Sequence, residues 1–327
     1  MRQRPFRFGT AVLAASLAAF PARAQPAGLT TEGAPFLLLP VGARAVGMGQ
    51  ALVADQQPGT EAIWWNPAGI ARSERREVAV HHYETVVGTG DAVSILIPSS
   101  LLGVFTASLY ALDFGTQAVT DEDGAQVGSF TTRNVVYGAS YSTPIGGRIN
   151  AGITYKLVQF RIDCSAGCAS QAGTSSALDF GAQYDLGFVV PVSIGVAVRN
   201  MGAPLPVIDS EQADPLPTRI QIGVLYRVPG VARYAPETEL HLTGDVLDRL
   251  KMESPAPRVG AALSWRQRAH LRGGYVFESA ADEEAGGPSM GLGLSTNNLR
   301  LDIATIFEGF STDAGKRPTY VSLRYLF

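Results

Sequence analysis

Beyond its first two dozen residues the chain has no run of about 18 apolar residues, which excludes helices as its way of crossing a bilayer. Cysteine is almost absent. Cys164 and Cys168, four apart in CSAGC, are the only two in 327 residues, and with no histidine or second pair nearby they lack the ligand count of a zinc site. In an oxidising compartment the pair reads as a small loop disulfide, with two free or redox-active thiols as the alternative. So short a closed loop adds little to the stability of the whole fold. An excess of either charge is missing as well. The formal net charge is −3, both signs are interspersed, and there is neither a basic tract nor an acidic tail, so nucleic acid is not an expected partner.

Catalytic signals are equally sparse. The four histidines are His81, His82, His241 and His270. His81 and His82 are adjacent, so on a strand they point to opposite faces and do not share a metal. The glycine-rich GARAVGMG at Gly42 to Gly49 lacks the Lys-Ser/Thr of a phosphate-binding loop and opens no βαβ unit. No Ser-His-acid set stands out. The expectation is a protein that is no enzyme and carries no cofactor or metal.

What is present begins with an address. Arg2, Arg4 and Arg7 precede an apolar run from Gly9 to Phe20, and Ala22-Arg23-Ala24 supplies the small residues of a signal-peptidase site. Residues 1–24 read as an export signal, too short to span a bilayer, with Gln25 as the new N-terminus. At 46% hydrophobic residues and 36 glycines, the composition suits a soluble β-protein and a membrane barrel equally well. Periodicity separates them.

From Glu77 onward the sequence alternates. At Arg219 to Val228 the set Ile220, Ile222, Val224, Tyr226 and Val228 interleaves with Arg219, Gln221, Gly223, Leu225 and Arg227. Glu237 to Val246 sets Leu240, Leu242 and Val246 against Glu237, Glu239, His241, Thr243 and Asp245, and Arg300 to Phe307 sets Leu301, Ile303 and Phe307 against Arg300 and Asp302. A face that carries charge has to meet water or a partner. About fourteen such strands are expected between residues 77 and 327, an even number, with short links such as Ser142 to Gly147 and Ser295 to Asn298 alternating with long ones such as Gly115 to Arg133 and Asn200 to Thr218. That order is the pattern of an outer-membrane barrel and not of a sandwich. The last strand, TYVSLRYLF, ends in Tyr325 and Phe327, which resembles the terminal signal read by the barrel assembly machinery. The predicted fold is therefore an all-β transmembrane antiparallel barrel over residues 77–327, in contact with outer-membrane lipid.

With the apolar set facing lipid, the inward set includes Lys156, Asp179, Arg199, Arg219, Arg227, Glu237, Glu239, Asp245, Arg258, Arg272, Arg300, Asp302 and Arg324, together with Gln183 and His241. Both signs are represented, so the charges either pair across strands and fill the interior or line a path for a polar solute. Glu237 and Glu239 are expected to pair with Arg219 or Arg227. Neither arrangement suits a continuous greasy tunnel.

Residues 25–76 differ from all this. In GARAVGMGQA, six of ten residues are Gly or Ala, as a close-packed irregular segment requires, and a short Gly/Ala-rich helix is the alternative. Trp64 and Trp65 are bulky anchors before Asn66-Pro67-Ala68-Gly69, a turn in which Asn bonds its own backbone and Pro fixes φ. The succession of Gly42, Gly47 and Gly49 in GARAVGMG, the Ala54-Asp55 step, and WWNPAGIA at Trp64 to Ala71 resembles the N-terminal signature of PorV/PorQ proteins. These fall within the fatty-acid-transporter-like (FadL-like) outer-membrane barrels. The resemblance implies fourteen strands around a lumenal hatch. It further implies a role beside the type IX secretion pathway, with secreted cargo proteins held by outer loops, or else uptake of hydrophobic molecules such as long-chain fatty acids. On the uptake reading, Phe105, Leu109, Tyr110 and Phe114 would line the route, and Gly103 would permit a bulge.

Overall fold

The computed structural model describes residues 32–327 except 57–58, 87, 188–189, 207–212, 253, 278–285, 310–311 and 313. The expected export signal lies outside the described residues. Alternating sequence folds as the period demands. Strands β1 (Glu77–Glu84), β2 (Thr89–Ser99), β3 (Gly103–Thr120), β4 (Gln126–Ile145), β5 (Ile149–Cys164), β6 (Gln171–Asp185) and β7 (Val192–Gly202) are followed by two short strands, β8 (Leu205–Pro206) and β9 (Ala213–Asp214). Then come β10 (Arg219–Val228), β11 (Thr238–Arg249), β12 (Ala256–Trp265), β13 (Ala269–Val276), β14 (Gly287–Ser295), β15 (Leu299–Ile306) and β16 (Thr319–Leu326). All but β8 and β9 form one closed antiparallel barrel of fourteen strands, each beside its neighbour in sequence, with β1 closing on β16 from Glu77 opposite Leu326 to Glu84 opposite Thr319. Closure satisfies every ladder without leaving an edge.

The two faces sort as their chemistry requires. On β10, Arg219 and Gln221 are buried inward while Ile222 and Val224 stand exposed on the outside. Val80, Val93, Ile303 and Leu323 continue this outward apolar belt. Aromatic pairs mark its rims: Tyr325 stacks on Phe327 at 5.9 Å between centroids, Phe105 meets Tyr141 at 5.2 Å, and Tyr275 meets Phe277 at 4.7 Å.

Link lengths differ from the expectation. Most of Gly115 to Arg133 is strand, because β3 runs to Thr120 and β4 starts at Gln126. The segment carries four Thr and two Val, which favour strands, but no sustained apolar alternation, so periodicity could not reveal it. Thr116 and Thr131 face each other with hydroxyls 2.8 Å apart, and the Asp121 carboxylate closes the turn by accepting from the amides of Asp123 (3.1 Å) and Ala125 (2.8 Å). The strands β3 to β6 therefore rise above the rest of the barrel. At the tip of β5, Cys164 and Cys168 are joined in a disulfide. The Asn200 to Thr218 link, in turn, holds β8 and β9.

Candidate functional site

The lumen is filled by the segment that precedes the barrel. Between Glu32 and Ala71 its regular structure is one short helix, α1 (Ala43–Gly47), and single 3-10 turns at Pro35–Leu38, Thr60–Trp64 and Pro67–Ile70. The segment thus joins the two expected forms, a compact irregular plug with one helical turn inside it.

Against β13 to β16 and β1 the segment lays its own buried ion pairs beside those of the wall. Arg44 of α1 reaches Asp55 at 2.8 Å and Glu61 at 3.7 Å, both on the same segment. The wall answers with Arg272 to Asp302 at 2.7 Å, and with Arg324 at 3.8 Å from Glu77 and 4.0 Å from Asp302. Backbone amides link the two layers: Thr60 N donates to Glu77 Oε1 (2.8 Å) and Ala43 N to Ser322 Oγ (2.8 Å). His81, inward and buried, joins the same hydroxyl at 2.8 Å, whereas His82 points outward to Asp91. Close approach requires missing side chains. A Cβ on Gly47 would lie 2.9 Å from the Cα of Gly291 on β14, and Gly42, at φ 100°, yields its space to the Glu61 carboxylate. Gly49, at φ 59°, lies against the backbones of Val259 and Tyr275.

Against β4 to β7 the contacts are made mostly by amides and hydroxyls, with Arg199 of β7 donating to Trp64 O at 3.0 Å. Asn66 caps its own turn by accepting from Ala68 N (3.0 Å). Its amide nitrogen donates to Val53 O at 2.7 Å and to Ala182 O and Val196 O of the wall at 3.3 Å each. Gln183 Nε2 donates to Asp55 O (2.8 Å), and Ser142 Oγ to Pro67 O (2.5 Å). Gly181 leaves room for Asn66 and Gly152 for Pro67. On β10 to β12, Asp245 accepts from Val53 N (2.9 Å) and Gln221 (2.7 Å), while Arg258 donates to Gln50 Oε1 (2.7 Å).

The residues Gly33 to Val41 form a strap toward the loop end. Glu32 anchors it by a two-pronged contact with Arg219 at 2.8 and 3.0 Å, and Arg249 stands 3.4 Å away. Beneath the strap lies a pocket lined by Leu37, Leu39, Val41, Trp64, Trp65, Tyr110, Val136, Lys156 and Arg199. Its volume is about 20 Å³, room for one water molecule. Trp64 meets Tyr110 edge-on at 6.0 Å, and the Arg199 guanidinium lies 5.2 Å from the Trp65 ring centre.

Several expected placements change. Glu237 precedes β11, is exposed, and pairs with Arg266 of the neighbouring turn; Glu239 sits at the mouth and accepts from Gln267 at 2.8 Å. Neither meets Arg219 or Arg227, because both lie at the turn end of β11, whereas Arg219 lies at the loop end of β10 with Glu32; Arg227 binds Asp185 at 2.9 Å. Arg300 is inward and half-buried, opposite Arg324 across the ladder. Lys156 pairs with Asp179 at 2.6 Å. The inward charges are thus drawn into pairs and into the plug instead of lining an open aqueous path. Of the third-strand residues, Tyr110 faces the pocket, while Phe105 and Leu109 are exposed outside. Phe114 packs at the edge of the core, and Gly103 starts β3 at φ 104°. Sequence reasoning missed Glu32, Glu61, Leu37, Leu39 and Val136. Glu61 carried a signal, being with Asp55 one of only two acids between Gly42 and Ala71.

A closed fourteen-strand antiparallel barrel with an apolar exterior and a filled lumen defines an outer-membrane barrel fold. Solved structures of the same fold are the toluene transporter TbuX of Ralstonia pickettii (TM-score 0.57, 10% identity, covering 88% of this chain and 98% of that one) and the toluene transporter TodX of Pseudomonas putida (TM-score 0.56, 10% identity, 87% and 96%). A Pseudomonas aeruginosa FadL homologue is similar too (TM-score 0.53, 10% identity, 88% and 98%). The chain thus has the fold of the FadL-like outer-membrane transporters. No protein-family model and no curated protein matches the sequence.

Proposed function

We propose that the chain is an outer-membrane channel for hydrophobic small molecules, with the pocket beneath the strap as its ligand site. The observation that carries this reading is the pocket itself: seven aromatic and aliphatic side chains, with Lys156 and Arg199 beside them, line a cavity against the barrel wall inside a lumen otherwise sealed by polar contacts. Apolar pockets with a few convergent polar groups are the usual form of small-molecule sites. The neighbours of the same fold that transport toluene support it. As it stands the site is closed, so a ligand is admitted by displacing Leu37 and Leu39, and the Glu32 clamp on Arg219 and Arg249 sets how readily the strap lifts. The finer resemblance of GARAVGMG and WWNPAGIA to PorV/PorQ favours a second reading, cargo handling in type IX secretion at the outer loops.

The three tryptophans provide a test. Trp64 and Trp65 line the pocket, and Trp265 lies outside on β12, so a Trp265→Phe protein reports on the pocket alone. Titration with toluene is expected to give a saturable emission change. No change, combined with recovery from native outer membrane of secreted proteins sharing a C-terminal domain, would transfer the assignment to secretion.

A further inference from the structure

The pocket contains an apparent contradiction. A cavity of mixed aromatic, aliphatic and cationic lining, with Lys156 and Arg199 in its wall, has the composition that recognises an aliphatic or aromatic carboxylate. Both cations, however, are already engaged from within the barrel. Lys156 Nζ lies 2.6 Å from Asp179 Oδ2 and donates to Asn200 Oδ1 at 2.8 Å. Arg199 donates to Trp64 O (3.0 Å) and rests on the Trp65 ring.

Asp179 is held in place from a second direction. The β6–β7 ladder slips by one residue between Leu178 and Phe180, and Asn200 adopts φ 59° in the resulting bulge. The bulge aims the amide of Asn200 at Asp179 Oδ1, which accepts at 2.8 Å. A fully buried carboxylate fixed at both oxygens does not swing aside for an incoming anion, and it repels one at close range. We infer that Asp179 determines the charge selectivity of the pocket: by occupying the ammonium of Lys156 it makes the site accept uncharged apolar molecules and reject their carboxylates. This rests on the uptake reading above.

The test compares toluene with benzoate in the Trp265→Phe protein, using heat-modifiable gel mobility to confirm a folded barrel. Wild-type sequence at 179 is expected to bind toluene at least about tenfold more tightly than benzoate. Asp179→Asn, which frees the ammonium, is expected to gain about tenfold in benzoate affinity and to leave toluene affinity within about twofold, a tenfold change being the scale of one newly available charge contact. The Asp179→Asn/Lys156→Gln double variant keeps the shape without either charge and is expected to lose the benzoate gain. Equal binding of both probes by the unsubstituted pocket would overturn the inference, as would a benzoate gain that persists in the double variant or an Asp179→Asn protein with an unchanged ratio. Failure of toluene to bind at all would remove the uptake reading and the inference with it.

Discussion

The inserted segment is held on its two sides by different chemistry. Toward β13 to β16 and β1 its own pairs of Arg44 with Asp55 and Glu61 lie beside the wall's pairs of Arg272 and Arg324 with Asp302 and Glu77, and backbone amides of Thr60 and Ala43 cross to Glu77 and Ser322. Toward β4 to β7 its own Asn66 donates to two wall carbonyls, those of Ala182 and Val196, while Gln183, Ser142 and Arg199 of the wall donate to its backbone carbonyls. The charged side is costly to break at one member, because the remaining ion is left buried without compensation. The amide side loses only ordinary hydrogen bonds. A plug built in this way has a rigid dock and a softer one.

Four substitutions grade the contacts, from the wall beside the segment to an exposed turn pair. Arg272→Met leaves Asp302 without its closest partner and is expected to cost the most, about 3–5 kcal/mol, read as a lower unfolding midpoint in detergent. Asn66→Ala is expected to cost about 1–3 kcal/mol and to show as intermittent conductance in planar bilayers, since the segment loosens from β6 and β7 without leaving the lumen. Because the sites share no partner, the double variant should be additive within about 0.5 kcal/mol; strong coupling would mean the two docks are one unit. Glu32→Gln leaves the buried Arg219 guanidinium a hydrogen-bond acceptor but not its counter-charge; it is expected to cost about 1–3 kcal/mol and to raise acrylamide quenching of Trp64 and Trp65 in the Trp265→Phe background. Glu237→Gln, on an exposed pair with Arg266, is expected to leave the unfolding midpoint where it is.

The same contrast explains what could be read from sequence. Period-two alternation exposed the barrel and the inward identity of Lys156, Asp179, Arg199 and Asp302, because one face must meet lipid and the other must not. It could not reach the upper parts of β3 and β4, where polar residues such as Thr116 and Thr131 interrupt the apolar alternation. Partners were less legible than faces. Arg219 finds Glu32 across 187 positions, a pairing that depends on where the inserted segment ends and that strand spacing does not encode. Glu237 was misplaced because the alternation continues one residue beyond the strand, into a position with φ 61°. The NPAG turn was readable because its mechanism is local. Its docking surface was half-written in the glycines at inward positions, Gly152 and Gly181, whose meaning emerges only once something lies against them.

Uptake by intact cells tests the central claim most directly. The initial rate of accumulation of labelled toluene is compared in cells with no barrel, with this protein, and with Leu39→Trp, which fills the pocket, at equal amounts of heat-modifiable protein in the outer membrane. The account predicts a rate above the barrel-free cells that falls back to their level in Leu39→Trp. A rate unchanged by the protein, or one that survives a filled pocket, would contradict it.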